Sequence, residues 1–257
     1  MLTLLLAVTC STLAADHPLS AEQRSEMHAE FDAAIAEATK RIEQDPQNVS
    51  AFSRRGDAHF FAGQFDKAVA DYEAMVELDP DLDRAHWRRG IAYFYAGQYD
   101  KAARQFEVYH SFDNVDRENG IWRFFSQAKA HGFDKAKDGL LNYEKDDRRP
   151  FPSVYQLFAG ETTPEAILKE IRDAKIDAKI DAAEREKRLF YAELYIGLNH
   201  AVHDRREDAQ RHLREAVKNT WGRRAGYGPR YMWHVGRLHY EKLAAGDRVF
   251  LRRAIRQ

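Results

Sequence analysis

The chain has 257 residues, 44% apolar and 12% aromatic, and its charged side chains, 32% of the total, sum to a formal net charge of −1. That is enough apolar material for a large core, and the near-neutral balance excludes a dedicated nucleic-acid binder, which needs a strongly basic surface to neutralise phosphates. The single cysteine, Cys10, excludes an intrachain disulfide or a thiolate metal site.

Residues 1–15 are an apolar leader, Leu2 to Val8, followed by the small and polar run Cys10 to Ala15. It is too short to span a bilayer as a helix, and Thr12-x-Ala14 suits signal-peptide cleavage. We read it as a signal peptide and expect export to the periplasm or cell envelope. Membrane attachment is expected only through lipidation of Cys10 in Ala7-Val8-Thr9-Cys10, and a cytoplasmic location if the leader is not cleaved.

Asp66-Lys67-Ala68, Asp100-Lys101-Ala102 and Asp134-Lys135-Ala136 repeat one tripeptide at intervals of 34 residues, with Asp32-Ala33-Ala34 in phase before them. A fixed period of this length marks an array of helix hairpins, each too small to bury its apolar face alone. Arg54 to Ala68 and Arg88 to Ala102 share eleven of fifteen positions. In these units Gly56 and Gly90, with Ala68 and Ala102, lack bulk where two helices approach. Gly63 and Gly97 end first helices in a left-handed conformation. Tyr72 and Phe106 fill gaps, and Asp45-Pro46 and Asp79-Pro80 close units.

The spacing predicts an N-terminal block over 16–145, with units at about 15–47, 48–82, 83–116 and 117–145. Leu19 to Gln44 caps it, with Met27, Phe31, Ala34, Ile35 and Ile42 apolar. The third hairpin runs from Ile121 to Tyr143 around a shortened turn at His131-Gly132. An irregular connector is expected over 146–188: a solvated loop Asp146-Asp147-Arg148-Arg149, a short amphipathic segment at Val154 to Phe158, a helix start at Thr163-Pro164-Glu165, and an exposed helical spacer over Lys169 to Glu186. A C-terminal block, 189–257, resumes the pattern with Ile196, Gly197, His200, Ala209, Leu213 and Ala216. A loop from Trp221 to Pro229 then leads to a capping helix, Tyr231 to Leu243, with Val235, Leu238 and Leu243 inward.

The spacings from about Asn48 to Asp113 resemble the tetratricopeptide (TPR) repeat. Phe190-Tyr191-x-x-Leu194-Tyr195-x-Gly197-Leu198, Asp147-Arg148-Arg149-x-Phe151 with Tyr155-x-Leu157-Phe158-x-Gly160, and Tyr231-Met232-x-x-Val235 through His239 are similar to exported bacterial TPR proteins distantly related to the NlpI lipoprotein. These resemblances imply an all-α solenoid acting as a cell-envelope adaptor without enzymatic activity.

In such an array the first helices line the concave face, across which peptides lie. Helical projection places Arg54, Asp57, Phe60 and Phe61 there from one unit. Arg84, Trp87, Arg88, Ile91, Phe94 and Tyr95 come from the next, and Trp122 and Arg123 from the third. Arginines bind carboxylates bidentately and aromatic anchors dominate interfaces, so the lining suits an acidic peptide with apolar side chains. Arg55 and Arg89 are read as packing residues.

No catalytic motif is present: there is no G-x-S-x-G, H-E-x-x-H or P-loop. His200 with His203 stand three apart and His234 with His239 five, so of the two pairs just the first would share a helix face, and with no third ligand placed no metal site is expected, while His59 and His200 stand at packing positions. No cofactor is expected. The reading is a protein- or peptide-binding scaffold with an unidentified partner and no nucleic acid. The alternative is a self-associating envelope component, since Asp16 to Ser50 carries a balance of −5 and Trp221 to Gln257 one of +7. An enzyme on a helical scaffold ranks third.

Overall fold

The structure, a computed structural model, describes residues 17–174 and 180–246. The leader with Cys10, residues Ile176 and Asp177 of the connector, and the last eleven residues lie outside these. Among the described residues the chain forms α-helices and one 3-10 turn, without a strand, and no helix is long and apolar enough to cross a membrane. The fold is an all-α solenoid of TPR type. Its helices are α1 (Ala21–Gln44), α2 (Val49–Phe61), α3 (Phe65–Leu78), α4 (Trp87–Tyr95), α5 (Tyr99–Phe112), α6 (Arg117–His131) and α7 (Phe133–Asp138). They continue as α8 (Phe151–Ala159), α9 (Pro164–Asp173), α10 (Ala182–Val202), α11 (Arg206–Lys218), α12 (Thr220–Arg224) and α13 (Tyr227–Ala244).

The repeated residues act as the period predicts. Each Asp-Lys-Ala opens a second helix, α3, α5 or α7. Gly63 and Gly97 both have φ of 75°, which a side chain rarely adopts. A Cβ on Gly56 would meet the Tyr72 ring at 2.7 Å, and one on Gly90 the Phe106 ring at 2.7 Å, so each ring packs on its own hairpin's glycine. Ser20 and Gln23 form a reciprocal capping box at the start of α1.

A second series ties each hairpin from within. Arg55 grips Asp71 through Nε and Nη2, the closest contact being 2.7 Å. Arg89 donates to Gln105 Oε1 at 2.8 Å, and Arg123 donates to the Gly139 carbonyl. The donors stand 34 residues apart and each partner lies 16 residues downstream.

The connector is more ordered than expected. α8 and α9 pack on α10, burying Phe151, Val154, Phe158, Ile167 and Ile171. Lys169 to Glu186 is not one exposed spacer helix: α9 stops at Asp173, and α10 starts at Ala182 behind the cap Asp181, which accepts from the Glu184 amide. The third hairpin is also cut short, since α7 ends at Asp138 and an irregular stretch follows to Pro150.

The largest departure is α13. It begins at Tyr227, inside the predicted loop, and is buried at every position from Tyr231 to Tyr240. One-sided burial of Val235, Leu238 and Leu243 is therefore not its arrangement. The superhelix curls tightly enough that α13, packed on α10, α11 and α12, also reaches α1, α2 and α4 across the groove. Phe60 stacks on Tyr231 at 4.9 Å and Phe61 on His234 at 4.0 Å between ring centroids. Arg237, 0% exposed, donates through Nη2 to the Phe61 carbonyl at the end of α2 (2.5 Å) and through Nη1 to Glu241 (2.7 Å). His17 lies 3.7 Å from Glu241, so the acidic N-terminal region and the last described helix meet inside one chain.

Two predictions follow from this closure. Arg237→Ala leaves the Phe61 carbonyl and Glu241 without their buried donor and should cost about 3–5 kcal/mol, the usual loss for breaking a buried ion pair; urea unfolding that shows under about 1 kcal/mol would refute it. Burial lowers the pKa of His17, His59, His203 and His234, of His200 to about 4, and of His86 and His239 to about 3. A histidine with a depressed folded pKa stabilises the fold above its unfolded value, near 6.5, and loses that contribution as pH falls towards the folded value. Melting temperature should therefore drop steeply between pH 6.5 and 4.5, and a flat profile by circular dichroism would contradict the account.

Candidate binding pocket between the repeats and the last helix

The closed groove redistributes the residues expected on the concave face. Phe60, Phe94, Tyr95 and Trp122 are buried, with Phe61 packed against them; they form core with α13 rather than a surface open to a long peptide. Asp57 and Arg88 are spent on each other. The Arg88 Nη1 donates to Asp57 Oδ1 at 2.6 Å, the Tyr72 hydroxyl donates to the same oxygen at 2.6 Å, and the Tyr227 hydroxyl takes Oδ2 at 2.5 Å. The Tyr227 ring is half in solvent while its hydroxyl is sealed beneath, between Asp57 and Arg88. Arg54 and Arg84 are exposed. Arg123 points between its own helices to Gly139 and towards Glu107, not into the groove.

Three of the predicted residues, Trp87, Ile91 and Trp122, do reach an open cavity of about 420 Å³. It lies where α13 enters the groove, and its floor is the buried set Ile91, Phe106, Trp122 and Met232. Trp87, Tyr109, Tyr191 and Trp221 supply aromatic walls, while Gly228 and Pro229 of α13's first turn form part of the mouth. The volume falls within the ~300–1,000 Å³ of ordinary ligand clefts.

The polar side of the cavity comes from the start of α6 and the loop before α8. Asp116 caps α6, accepting from the Glu118 amide at 3.0 Å. Arg148 donates to Glu118 Oε2 at 2.5 Å, to Asp116 at 3.0 Å and to Asp147 at 3.1 Å, while its guanidinium lies 4.2 Å from the Phe151 ring centroid. The other Glu118 oxygen receives the Tyr195 hydroxyl, which in turn accepts the Trp122 indole N–H at 3.1 Å. The loop Asp146 to Arg149 is thus not simply solvated: Asp147 also caps α6 by accepting from the Arg117 amide at 2.9 Å.

Glu118, with 13% of its side chain exposed, has its pKa pushed up to about 7. Burial is the largest cause; Arg148 and the Tyr195 hydroxyl oppose it, and the neighbouring Asp116 and Asp147 reinforce it. Asp116 is raised as well, again first by burial. Beside them Asn119, 4% exposed, presents an amide nitrogen that no acceptor meets in hydrogen-bonding geometry, although the Tyr109 hydroxyl is close by. Lys187 on the same rim is paired with Glu184 at 3.0 Å.

The sequence reading missed Asp116, Glu118, Asn119, Arg148, Tyr191 and Trp221 as site residues, because they come from four separate stretches that no period connects. The histidine pairs do not converge. His200 stacks on His212, itself 2.6 Å from Glu193, and His203 bonds the Asn199 carbonyl. His234 faces Arg237, and His239 the Tyr95 hydroxyl.

Comparison with curated proteins returns no match. The family model described as TPR repeat matches residues 56–97, from the glycine beneath Tyr72 to the left-handed turn after α4. That match falls inside a solenoid of helix hairpins, so the chain carries a TPR repeat over these residues.

Proposed function

We propose that the protein is a non-enzymatic adaptor that holds a protein partner by a short segment inserted into the pocket beside α13, rather than by a peptide laid along the whole concave face. TPR repeats generally mediate protein–protein interaction, and the observation that carries this narrower reading is the aromatic-walled cavity of about 420 Å³ left at the mouth of an otherwise filled groove. Aromatic anchors in desolvated pockets carry most of the energy of protein interfaces. The apolar leader leads us to place this adaptor in the cell envelope of a bacterium.

A carboxylic acid poised near neutrality, such as Glu118, also belongs to acid–base catalysis. Here both of its oxygens are engaged, by Arg148 and Tyr195, which favours a binding role.

Gly228 offers a clean test. A Cβ there meets open space, its φ is ordinary, and it sits in the first turn of α13 facing the cavity. Gly228→Phe should plug the pocket without lowering the melting temperature, since replacing a helical glycine stabilises by about 0.4–1 kcal/mol when the conformation is compatible. Partners captured by the wild-type chain should be lost from the plugged variant and kept by Arg54→Ala and Arg84→Ala. Retention of the same partners by Gly228→Phe would overturn the reading.

A further inference from the structure

The pocket's chemistry selects the side chain that enters it. Three carboxylates, Asp116, Asp147 and Glu118, converge on the single guanidinium of Arg148. With all three ionised, two negative charges are left over. Lys187 on the rim reaches Glu184, which it shares with Arg188, rather than these carboxylates. Of the arginines expected to attract an acidic peptide, Arg88 is consumed by Asp57 and Arg123 by the Gly139 carbonyl and Glu107, while Arg54 and Arg84 are exposed and do not line the pocket. The remaining walls are the aromatic faces of Trp87, Tyr191 and Trp221, whose electron-rich surfaces attract cations.

We propose that the pocket binds a lysine or arginine side chain of the protein partner, its cationic head directed to Asp116 and Glu118 and its methylene stem lying between Trp87 and Trp221. The Asn119 amide nitrogen, buried beside the Tyr109 hydroxyl but meeting no acceptor in hydrogen-bonding geometry, is placed to donate to a carbonyl of the same segment. This inference rests on the adaptor reading above and gives it a charge preference opposite to the one the arginine-rich sequence suggests.

Protonation supports it. Arg148, Asp116, Asp147 and Tyr195 surround Glu118, and in the empty pocket its proton relieves the excess negative charge. An entering cation replaces that proton. Affinity for a cationic side chain should therefore rise as pH increases through about 7, whereas a neutral one gains nothing from the change.

The experiment uses the full chain and blocked tripeptides that share phenylalanine flanks and differ only at the centre: lysine, norleucine or glutamate. Binding is followed by calorimetry, with the quenching of tryptophan emission as a second readout. The lysine peptide is expected to bind at least about tenfold more tightly than the norleucine peptide, a difference of roughly 1.4 kcal/mol. The glutamate peptide should be weakest. Glu118→Gln, or Asp116→Asn if the first variant melts early, should remove the preference for lysine over norleucine and its pH dependence. Equal binding of lysine and norleucine, or tighter binding of glutamate, would overturn the inference.

Failure of the two readings is distinguishable. If Gly228→Phe abolishes partner capture but lysine shows no advantage, the adaptor pocket stands and the cation preference falls. If n-butylammonium alone binds as tightly as the lysine peptide, the ligand is a free amine and the assignment to a protein partner is overturned.

Discussion

A single buried guanidinium fixes how tightly this array can curl. Arg237 stands on α13 with no solvent contact, and the Phe61 carbonyl it meets lies at the C-terminal end of α2, where unsatisfied carbonyls concentrate partial negative charge. Burying an arginine is costly unless its donors are satisfied. Here Glu241 takes one arm, the helix end a second, and His234 lies 3.4 Å from Nε. These partners come from α2 and α13, so satisfying the charge requires the last helix to lie across the first repeat. The aromatic contacts of Phe60 with Tyr231 and of Phe61 with His234 then supply apolar burial along the same seam.

That closure decides which residues remain for function. In an open solenoid the first helices would present their aromatic residues to a ligand; here α13 takes the ligand's place along most of the groove, and the aromatic lining becomes core. The entrance stays unfilled, because α13 starts with Tyr227, Gly228 and Pro229, two of which carry little or no side chain towards the cavity. The charge of that entrance reflects competition between two effects. Asp116 and Glu118 lie at the N-terminus of α6, where the helix dipole favours anions by about 0.3–1 kcal/mol. Burial and mutual repulsion act against them, and for Glu118 they prevail over the dipole, Arg148 and the Tyr195 hydroxyl together, raising its pKa to about 7.

The repeat framework was legible in the residues because it is periodic. Gly56 and Gly90, Gly63 and Gly97, and the Asp-Lys-Ala tripeptides each do in one unit what they do in the next. The same period, followed strictly, would also have removed Arg123 from the concave face. It stands 34 residues after Arg89 and 68 after Arg55, in the packing series, whereas Arg54, Arg88 and Trp122 share the groove phase. The path of α13 was not legible, since a helix buried on every side loses the one-sided pattern by which helices are oriented. Nor was the pocket: Glu118, Arg148, Tyr191 and Trp221 are brought together by the curvature of the superhelix, a property of how units stack and not of any one unit.

Because α13 is at once the filling of the groove and a wall of the pocket, binding and folding are coupled in this molecule. A segment that enters between Trp87, Trp221 and Met232 contacts only the closed form and therefore stabilises it, by about 2.7 kcal/mol when present at a hundred times its dissociation constant. Acid acts on the same helix in the opposite sense. His234 and His239 are held neutral within it by burial, and protonating them places charges in a seam whose cationic site is already occupied by Arg237. Ligand in the pocket and protonation of His234 and His239 thus bias the folding equilibrium in opposite directions.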